Sequence, residues 1–367
     1  MNPITICPST LAEGYDSYSP IAIKHLFDGR QVSPFLDYTP IDDDNNSAAQ
    51  EEFLHNQERI SLSGVQPKYS MIVRNGKLAL TQKGEQGHYI LKPKLSDFRN
   101  RIYSSANENQ TMQIASQVFG IETAANGLCF FKGGEPAYIT KRFDVKPDGT
   151  KRRKEDFASL AGLTTQNGGK NYKYEYLTYE ECGELIRRYL PAWKVETLKF
   201  FDLIIFNFLI CNGDAHLKNF SVLETESGDF RLSPAYDLIN TKLHVDDRIF
   251  ALDKAAESMP YGMTNSTTFR EFGKRLGLPD KTIRRELDKF CTSYPLLDTL
   301  IANSYLSDEL KENYRNMYLG RRDSYLKIGL SQETTYGPAG IRGFQSEVAG
   351  MDEHPPRRIR RIRRGDE

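Results

Sequence analysis

The sequence predicts an α+β fold of two lobes, a β-rich lobe with one inserted helix followed by a larger, mostly α-helical lobe. Three observations carry this reading. At 367 residues the chain exceeds the usual size of one hydrophobic core. Residues 60–144 are dense in short β-branched and aromatic runs, the signature of strands. Across 145–330, and plainly from about residue 155, apolar residues recur instead at helical spacing.

In chain order, residues 1–59 read as a partly irregular lead-in that ends near the acidic run "IDDDNNSAAQEE". Within 60–144, "YSMIVRN", "KLALTQ", "HYILKP", "LCFFKGG" and "AYITKRF" read as strands, with Asn75-Gly76 and Gly133-Gly134 set to turn hairpins. The stretch from about Ala106 to Phe119 has apolar residues at Met112, Ile114, Ala115, Val118 and Phe119, which predicts the inserted helix. In the second lobe, Thr178 ahead of Glu180 and Glu181 is a capping signature for "YEECGELIRRYL". "KVETLKFFDLIIFNFLIC" reads as a helix buried on most sides, and "FSVLETESGDFRLS" as a hairpin turning at Ser227-Gly228-Asp229. Helical patterns fill 266–329. Residues 331–367 read as a disordered basic tail that includes "RRIRRIRR" at 357–364, a solvated end rather than a nucleic-acid arm.

Composition narrows the function classes. Net charge is zero, apolar residues are 39% and charged residues 27%, so nothing in the whole molecule favours nucleic acid or membrane. The five cysteines are scattered without a CxxC pair, which argues against a disulfide framework or a zinc site and fits a reducing cytosol. The most apolar stretch, 200–211, is too short to span a bilayer and contains Asp202 and Asn207. The N-terminus lacks the pattern of a signal peptide. The expectation is a soluble cytoplasmic protein with no membrane contact.

The chemistry is concentrated in "LICNGDAHLKNFSVL", residues 209–223, where an apolar helix breaks off and presents Asp214, His216, Lys218 and Asn219. Asp214 and Asn219 stand five apart, the spacing of the protein-kinase catalytic loop. Asp237, in "SPAYDLIN", follows one hairpin later, and that hairpin would fold it back beside Asn219. A carboxylate and an amide oxygen are donors that Mg²⁺ accepts. Alone, each of these is an ordinary turn or strand end; together they point to phosphoryl transfer. The first lobe offers "SLSGVQPKYSM" at 61–71 as a phosphate-covering loop, with one glycine, Gly64, where an ordinary kinase loop has three. Lys92, at a strand end, stands where a phosphate-binding lysine belongs. Glu108 opens the inserted helix and is available to pair with Lys92, or else only complements the helix N-terminus.

At this point the chain resembles a known family. "SGVQPK", "YILKP", "NENQTMQIA", "KRFD", "EDFASLAG", "NGDAHLKNFS" and "SPAYDL" occur in the order seen in HipA-like serine/threonine kinases, the toxin kinases of bacterial type II toxin–antitoxin systems, over about 60–330. The resemblance implies a two-lobed protein-kinase-like fold that uses ATP and Mg²⁺. It implies Asp214 as catalytic base, Asn219 and Asp237 as metal ligands, and Lys92 as the phosphate-binding lysine. His216 and Lys218 match catalytic-loop positions near the phosphates, and Lys68 with the 63–67 backbone (Ser63, Gly64, Val65, Gln66) the loop over them. Lys141, Phe143 and Asp144 lie in the implied lobe hinge, whose backbone would meet adenine; the family usually has Glu where Lys141 stands. With only sixty residues before the loop, the chain is similar to the compact HipT-like variant, in which a small N-terminal subdomain is a separate antitoxin. Ser61 and Ser63 match serines that the family autophosphorylates.

The resemblance further implies a protein substrate of translation, such as an aminoacyl-tRNA synthetase, a DNA-binding HipB-like antitoxin and possibly a small HipS-like one, with DNA met only through the antitoxin. Two other classes share parts of the pattern. A small-molecule kinase of the aminoglycoside-phosphotransferase type has the same Asp-x4-Asn loop and later Asp. A catalytically silent scaffold would have no need of all five of Lys92, Glu108, Asp214, Asn219 and Asp237.

Overall fold

The computed structural model describes residues 4–40, 67–95, 98–254 and 265–327. Five strands, β1 (Tyr69–Arg74), β2 (Lys77–Leu80), β3 (Tyr89–Lys92), β4 (Asn126–Phe130) and β5 (Pro136–Lys141), form one antiparallel sheet in the order β2-β1-β3-β5-β4. The β1–β2 turn pairs Arg74 with Lys77 and leaves Asn75 at φ 48° and Gly76 at φ 71°, the left-handed pair that a two-residue hairpin needs. Alternation along β5 sends Ala137 and Ile139 to one core and Tyr138 to another.

Helix α1 (Pro20–Phe27) precedes the sheet, and α2 (Ser104–Gln117) is inserted between β3 and β4. Twelve consecutive α2 residues, Ser104 through Ala115, are buried because the sheet covers one side and the helical lobe the other. Residues 4–40, expected as a lead-in, are folded onto the outer face of the sheet. Cys7, Tyr18, Ala22, Leu26, Phe27, Val32 and Leu36 join Tyr69, Met71, Leu91 and Ile139 in one buried cluster. The same segment closes the exposed edge of β4: Leu128 N–H donates to Pro8 O (2.8 Å), Phe130 N–H to Pro34 O (2.7 Å), and Leu36 N–H to Phe130 O (2.8 Å).

The second lobe opens with β6 (Lys154–Asp156), then α3 (Phe157–Leu160), α4 (Thr165–Gly168), α5 (Tyr172–Glu175), α6 (Tyr179–Tyr189) and α7 (Trp193–Leu209). Helix α6 begins at the expected cap, where the Thr178 hydroxyl accepts from Glu181 N–H and the Glu181 carboxylate accepts from Thr178 N–H. Strands β7 (Ser221–Glu224) and β8 (Phe230–Leu232) form the expected hairpin, and β6 adds to it as a third strand. Helices α8 (Ser266–Arg275), α9 (Asp280–Cys291), α10 (Pro295–Ala302) and α11 (Asp308–Arg321) complete the lobe. Helix α7 buries Phe200, Phe201, Ile204, Ile205, Phe206, Phe208 and Leu209 at its centre. None of the described helices is long and apolar enough to cross a membrane. The tail expected at 331–367 lies outside the described residues, as do Ser61, Ser63, Gly64, Val65 and Gln66 of the phosphate loop.

Candidate active site

The loop after α7 is shaped by its own polar groups. Cys211 turns the chain at φ 58°. The Asn212 amide donates to Asn207 Oδ1 (2.8 Å), and Asn212 Oδ1 accepts from Asp214 N–H (3.2 Å). Gly213 N–H donates to the Thr241 hydroxyl, which donates on to Cys211 O. A Cβ on Gly213 would stand 2.4 Å from Asp247 Cγ and 2.6 Å from Arg248 O, so this position requires glycine. With its backbone tied to Thr241 and its scaffold a buried helix, the loop holds Asp214 at the mouth of a cavity lined also by Tyr174, Glu175, Asp247 and Arg248.

Asp214 Oδ1 accepts a 2.6 Å hydrogen bond from the Tyr174 hydroxyl. Asp214 keeps contact with solvent at the cavity mouth, but the protein around it displaces enough water to raise its pKa, and the Tyr174 hydrogen bond and Lys173 only partly offset that rise. His216 is buried, and its ring meets Tyr174 edge-on at 5.0 Å. Burial, reinforced by Lys173, drives its pKa down to about 3, so the ring is neutral. Asn219 Oδ1 accepts from His216 N–H (3.1 Å), while its amide nitrogen reaches Asp237 Oδ2 at 3.4 Å.

From the other lobe, Lys92 ends β3 and its ammonium meets two carboxylates, Glu108 Oε1 at 2.6 Å and Asp237 Oδ1. The Lys92 and Glu108 side chains are only 7% and 5% exposed, so this is a buried network and not a surface pair. Burial works against the Lys92 charge, but Asp237 and Glu108 overcome it and hold the ammonium well above its ordinary range. Burial likewise opposes the Asp237 charge, yet Lys92 and then Lys68 pull the carboxyl far below the carboxylate range. Glu108 is the opposite case: burial pushes its carboxyl up, and Lys92 does not fully reverse it. Asp237 takes φ 57°, in the left-handed region that aspartate and asparagine enter more readily than other side chains. Glu108 is the fifth residue of α2 and not its first, so its place is fixed by Lys92 and not by the helix terminus.

The chain thus brings Lys92, Glu108, Asp237 and Asn219 into one contact network, with Asp214 and His216 on the same loop as Asn219. Lys68, just before β1, is close enough to bias Asp237 and Asp214, and Lys218 acts on the charge state of His216. Lys141, Phe143 and Asp144, expected at the lobe hinge, are engaged within the protein. Lys141 N–H donates to Ala125 O and Arg142 N–H to His88 O, so those two donors are committed inside the sheet. The Asp144 carboxylate is gripped by Arg142 (3.0 and 2.6 Å), and Lys141 is paired with Asp28 at the end of α1. Phe143 packs against Tyr236 at 5.8 Å, with the Lys154 ammonium 5.4 and 4.7 Å from the two rings. Tyr174, Lys173 and Lys154 were not legible as site residues. "NYKYEYLTY" is tyrosine-rich, but nothing in its spacing ties it to a loop forty residues on.

The donor set suits a hard divalent cation. Asp237 stays ionised and the Asn219 amide lies against it, nitrogen toward Asp237 Oδ2 and oxygen on His216 N–H; turned over, that amide would add its oxygen to the Asp237 carboxylate, the kind of donor pair Mg²⁺ takes alongside phosphate and water.

Residues 60–295 match the family model described as the HipA-like C-terminal domain. The sequence is similar to a putative kinase of Haemophilus influenzae, 25% identical over 307 residues, covering 77% of this chain and 85% of that protein. A putative kinase of Sinorhizobium fredii is 29% identical over 245 residues, covering 64% of this chain and 55% of that one, so the chain spans about half its length. Among solved structures, HipA from the Shewanella oneidensis toxin–antitoxin complex of HipA, HipB and operator DNA superposes with a TM-score of 0.59 at 22% identity, covering 76% of this chain and 68% of that one. That likeness is one of fold, and the fold is the two-lobed α+β one that the sequence predicts.

Proposed function

From the premise that the chain belongs to the HipA-like C-terminal domain family, we propose that it is a serine/threonine protein kinase using ATP and Mg²⁺. The observation that carries this reading is the meeting of Lys92 with both Glu108 and Asp237, while Asp237 lies against Asn219 of the loop that presents Asp214. Four separate segments of the chain converge on one point, and phosphoryl transfer needs little beyond such positioning and charge neutralisation.

Each residue then has a role. Asp214 orients the acceptor hydroxyl and takes its proton; its raised pKa makes it a better base than a free carboxylate. Lys92, held by Glu108, faces the nucleotide phosphates. Asn219 and Asp237 would hold Mg²⁺, which neutralises charge on the transferred phosphoryl oxygens. Lys68 and Lys218 add positive charge along the same line. A neutral His216 can donate one hydrogen bond without competing with the metal for Asp237. Adenine would lie against Phe143, whose neighbours Lys141 and Arg142 have spent their N–H groups within the sheet.

The same reading extends to biology. As a toxin of a type II toxin–antitoxin system the kinase would phosphorylate a cytosolic protein of translation, such as an aminoacyl-tRNA synthetase, and autophosphorylate at Ser61 or Ser63. The Shewanella complex of HipA, HipB and DNA supports a HipB-like antitoxin as partner, with DNA contacted through it; a HipS-like antitoxin is the second expected partner. Asp214→Ala should fold normally and lose radiolabel transfer from ATP by about a hundred-fold or more. Transfer that persists in this variant removes Asp214 as the base, and growth arrest that persists removes the kinase as its cause.

A further inference from the structure

The sequence offers no role for α5, a four-residue turn, yet this turn supplies the residue that touches Asp214 most closely. The Tyr174 hydroxyl stands 2.6 Å from Asp214 Oδ1. Its ring packs edge-on against buried His216 at 5.0 Å, and its main chain is anchored where the Tyr174 carbonyl accepts from Asp253 N–H at 2.9 Å. Tyr174 N–H in turn donates to Asn171 O. A phenol held this way cannot swing aside easily, and a carboxylate it grips loses its freedom to rotate.

We infer that Tyr174 is the positioning residue for the base: by donating to one oxygen of Asp214 it fixes the carboxylate plane and leaves the second oxygen for the acceptor hydroxyl. This rests on the reading of Asp214 as the base. No proton passes to or from the tyrosine. Burial and the neighbouring Asp214 charge hold its phenol protonated far above neutral pH, so it is a permanent donor. A donor favours the ionised carboxylate. Removing it must therefore raise the pKa of a base that partial desolvation has already raised.

The groups facing Asp214 make the effect separable. Lys173 on the same turn and Lys68 before β1 favour its charge, and Asp237 opposes it. Asp247 and Arg248 bear on Tyr174 itself and carry opposite signs. None of these is altered by Tyr174→Phe, which keeps the ring against His216 and removes only the hydroxyl.

The test uses the full chain and measures phosphoryl transfer from Mg-ATP as a function of pH. In Tyr174→Phe, kcat should fall about ten-fold to a hundred-fold, the worth of one hydrogen bond to a charged group. The KM for ATP should hold, and the acidic limb of the kcat profile should move to higher pH. Tyr174→Leu, which also lacks the hydroxyl, should move the limb in the same direction. An unchanged kcat overturns the inference. So does a kcat that rises, which would make Tyr174 a competitor of the acceptor, or one that falls with no displacement of the limb, which would make it structural. Asp214→Ala run in parallel tests the premise separately: transfer retained there overturns the base assignment whatever Tyr174 does.

Discussion

Lys92 is the residue on which the site's charge balance turns. Its ammonium is the cation between two carboxylates, of which Glu108 is shut off from water and Asp237 keeps partial contact with it. Lys92→Met would leave Asp237 and Glu108 facing each other, and stripping one partner from a buried network costs about 3–5 kcal/mol. Glu108→Gln should be far milder, under about 1.5 kcal/mol, because burial already pushes this carboxyl toward its neutral form and the amide keeps its shape. Urea unfolding of the two variants checks the order, and a costlier Glu108→Gln would reverse the account. His216 gives a pH signature. Its folded pKa of about 3 lies below the ordinary histidine value of 6.5, so in that interval the unfolded chain binds the proton more readily. Its contribution is therefore whole above pH 6.5 and drains away as the pH falls toward 3. His244 and His88 are shifted the same way, so His216→Gln should flatten the slope of stability against pH in this interval without abolishing it. An unflattened slope in equilibrium unfolding would contradict the burial of this ring.

At the scale of elements, legibility follows periodicity. The five strands of the first sheet, the β7–β8 hairpin and α7 announced themselves because one face or all faces are apolar. Helix α2 was harder: its first half is Ser104-Ser105-Ala106-Asn107-Glu108-Asn109-Gln110-Thr111, so the apolar pattern marks only the second half and misplaces the start by two residues. Those polar side chains are buried for a reason no periodicity encodes. Asn107 donates to Asn240 O (2.8 Å), accepts from Asn240 N–H (3.2 Å) and meets His244 Nε2 at 2.9 Å. His244 Nδ1 lies 2.9 Å from Arg99 O, and a carbonyl cannot donate, so Nδ1 carries the hydrogen and Nε2 accepts from Asn107. This clamp ties the helix bearing Glu108 to the segment that begins with Asp237. Asn107→Ala would strand three buried polar groups, at a cost of about 2–4 kcal/mol. Because Glu108 and Asp237 would lose their common mount, calorimetry should also show weaker binding of Mg-ATP; a stable variant with unchanged affinity would deny the clamp its part in the site.

Over the whole molecule, the division into two lobes conceals a continuous core. Leu128, Phe130 and Tyr138 on the inner face of the sheet, with Met112 and Ile114 of α2, share one buried cluster with Phe200, Phe206 and Tyr314 of the helical lobe. The outer face of the same strands belongs to a second cluster, closed by residues 4–40. That segment escaped the sequence reading because much of its attachment is main-chain: hydrogen bonds to the β4 edge leave no spacing to detect, and α1, at eight residues, is too short for a strong one. Since β4 and β5 are walls of both clusters, damage on the outer side should be felt in the helical lobe. Phe27, packed on Tyr18 at 4.9 Å and Tyr89 at 5.6 Å, is the place to apply it. Phe27→Ala should cost about 3–5 kcal/mol, the usual price of an emptied aromatic site. The chain has one tryptophan, Trp193, at the start of α7 in the helical lobe, so its fluorescence reports that lobe alone. With a shared core the Trp193 unfolding midpoint falls in Phe27→Ala together with the loss of ATP binding. If the midpoint stays where it is while ATP binding is lost, the lobes unfold independently, and the sheet insulates its two faces instead of coupling them.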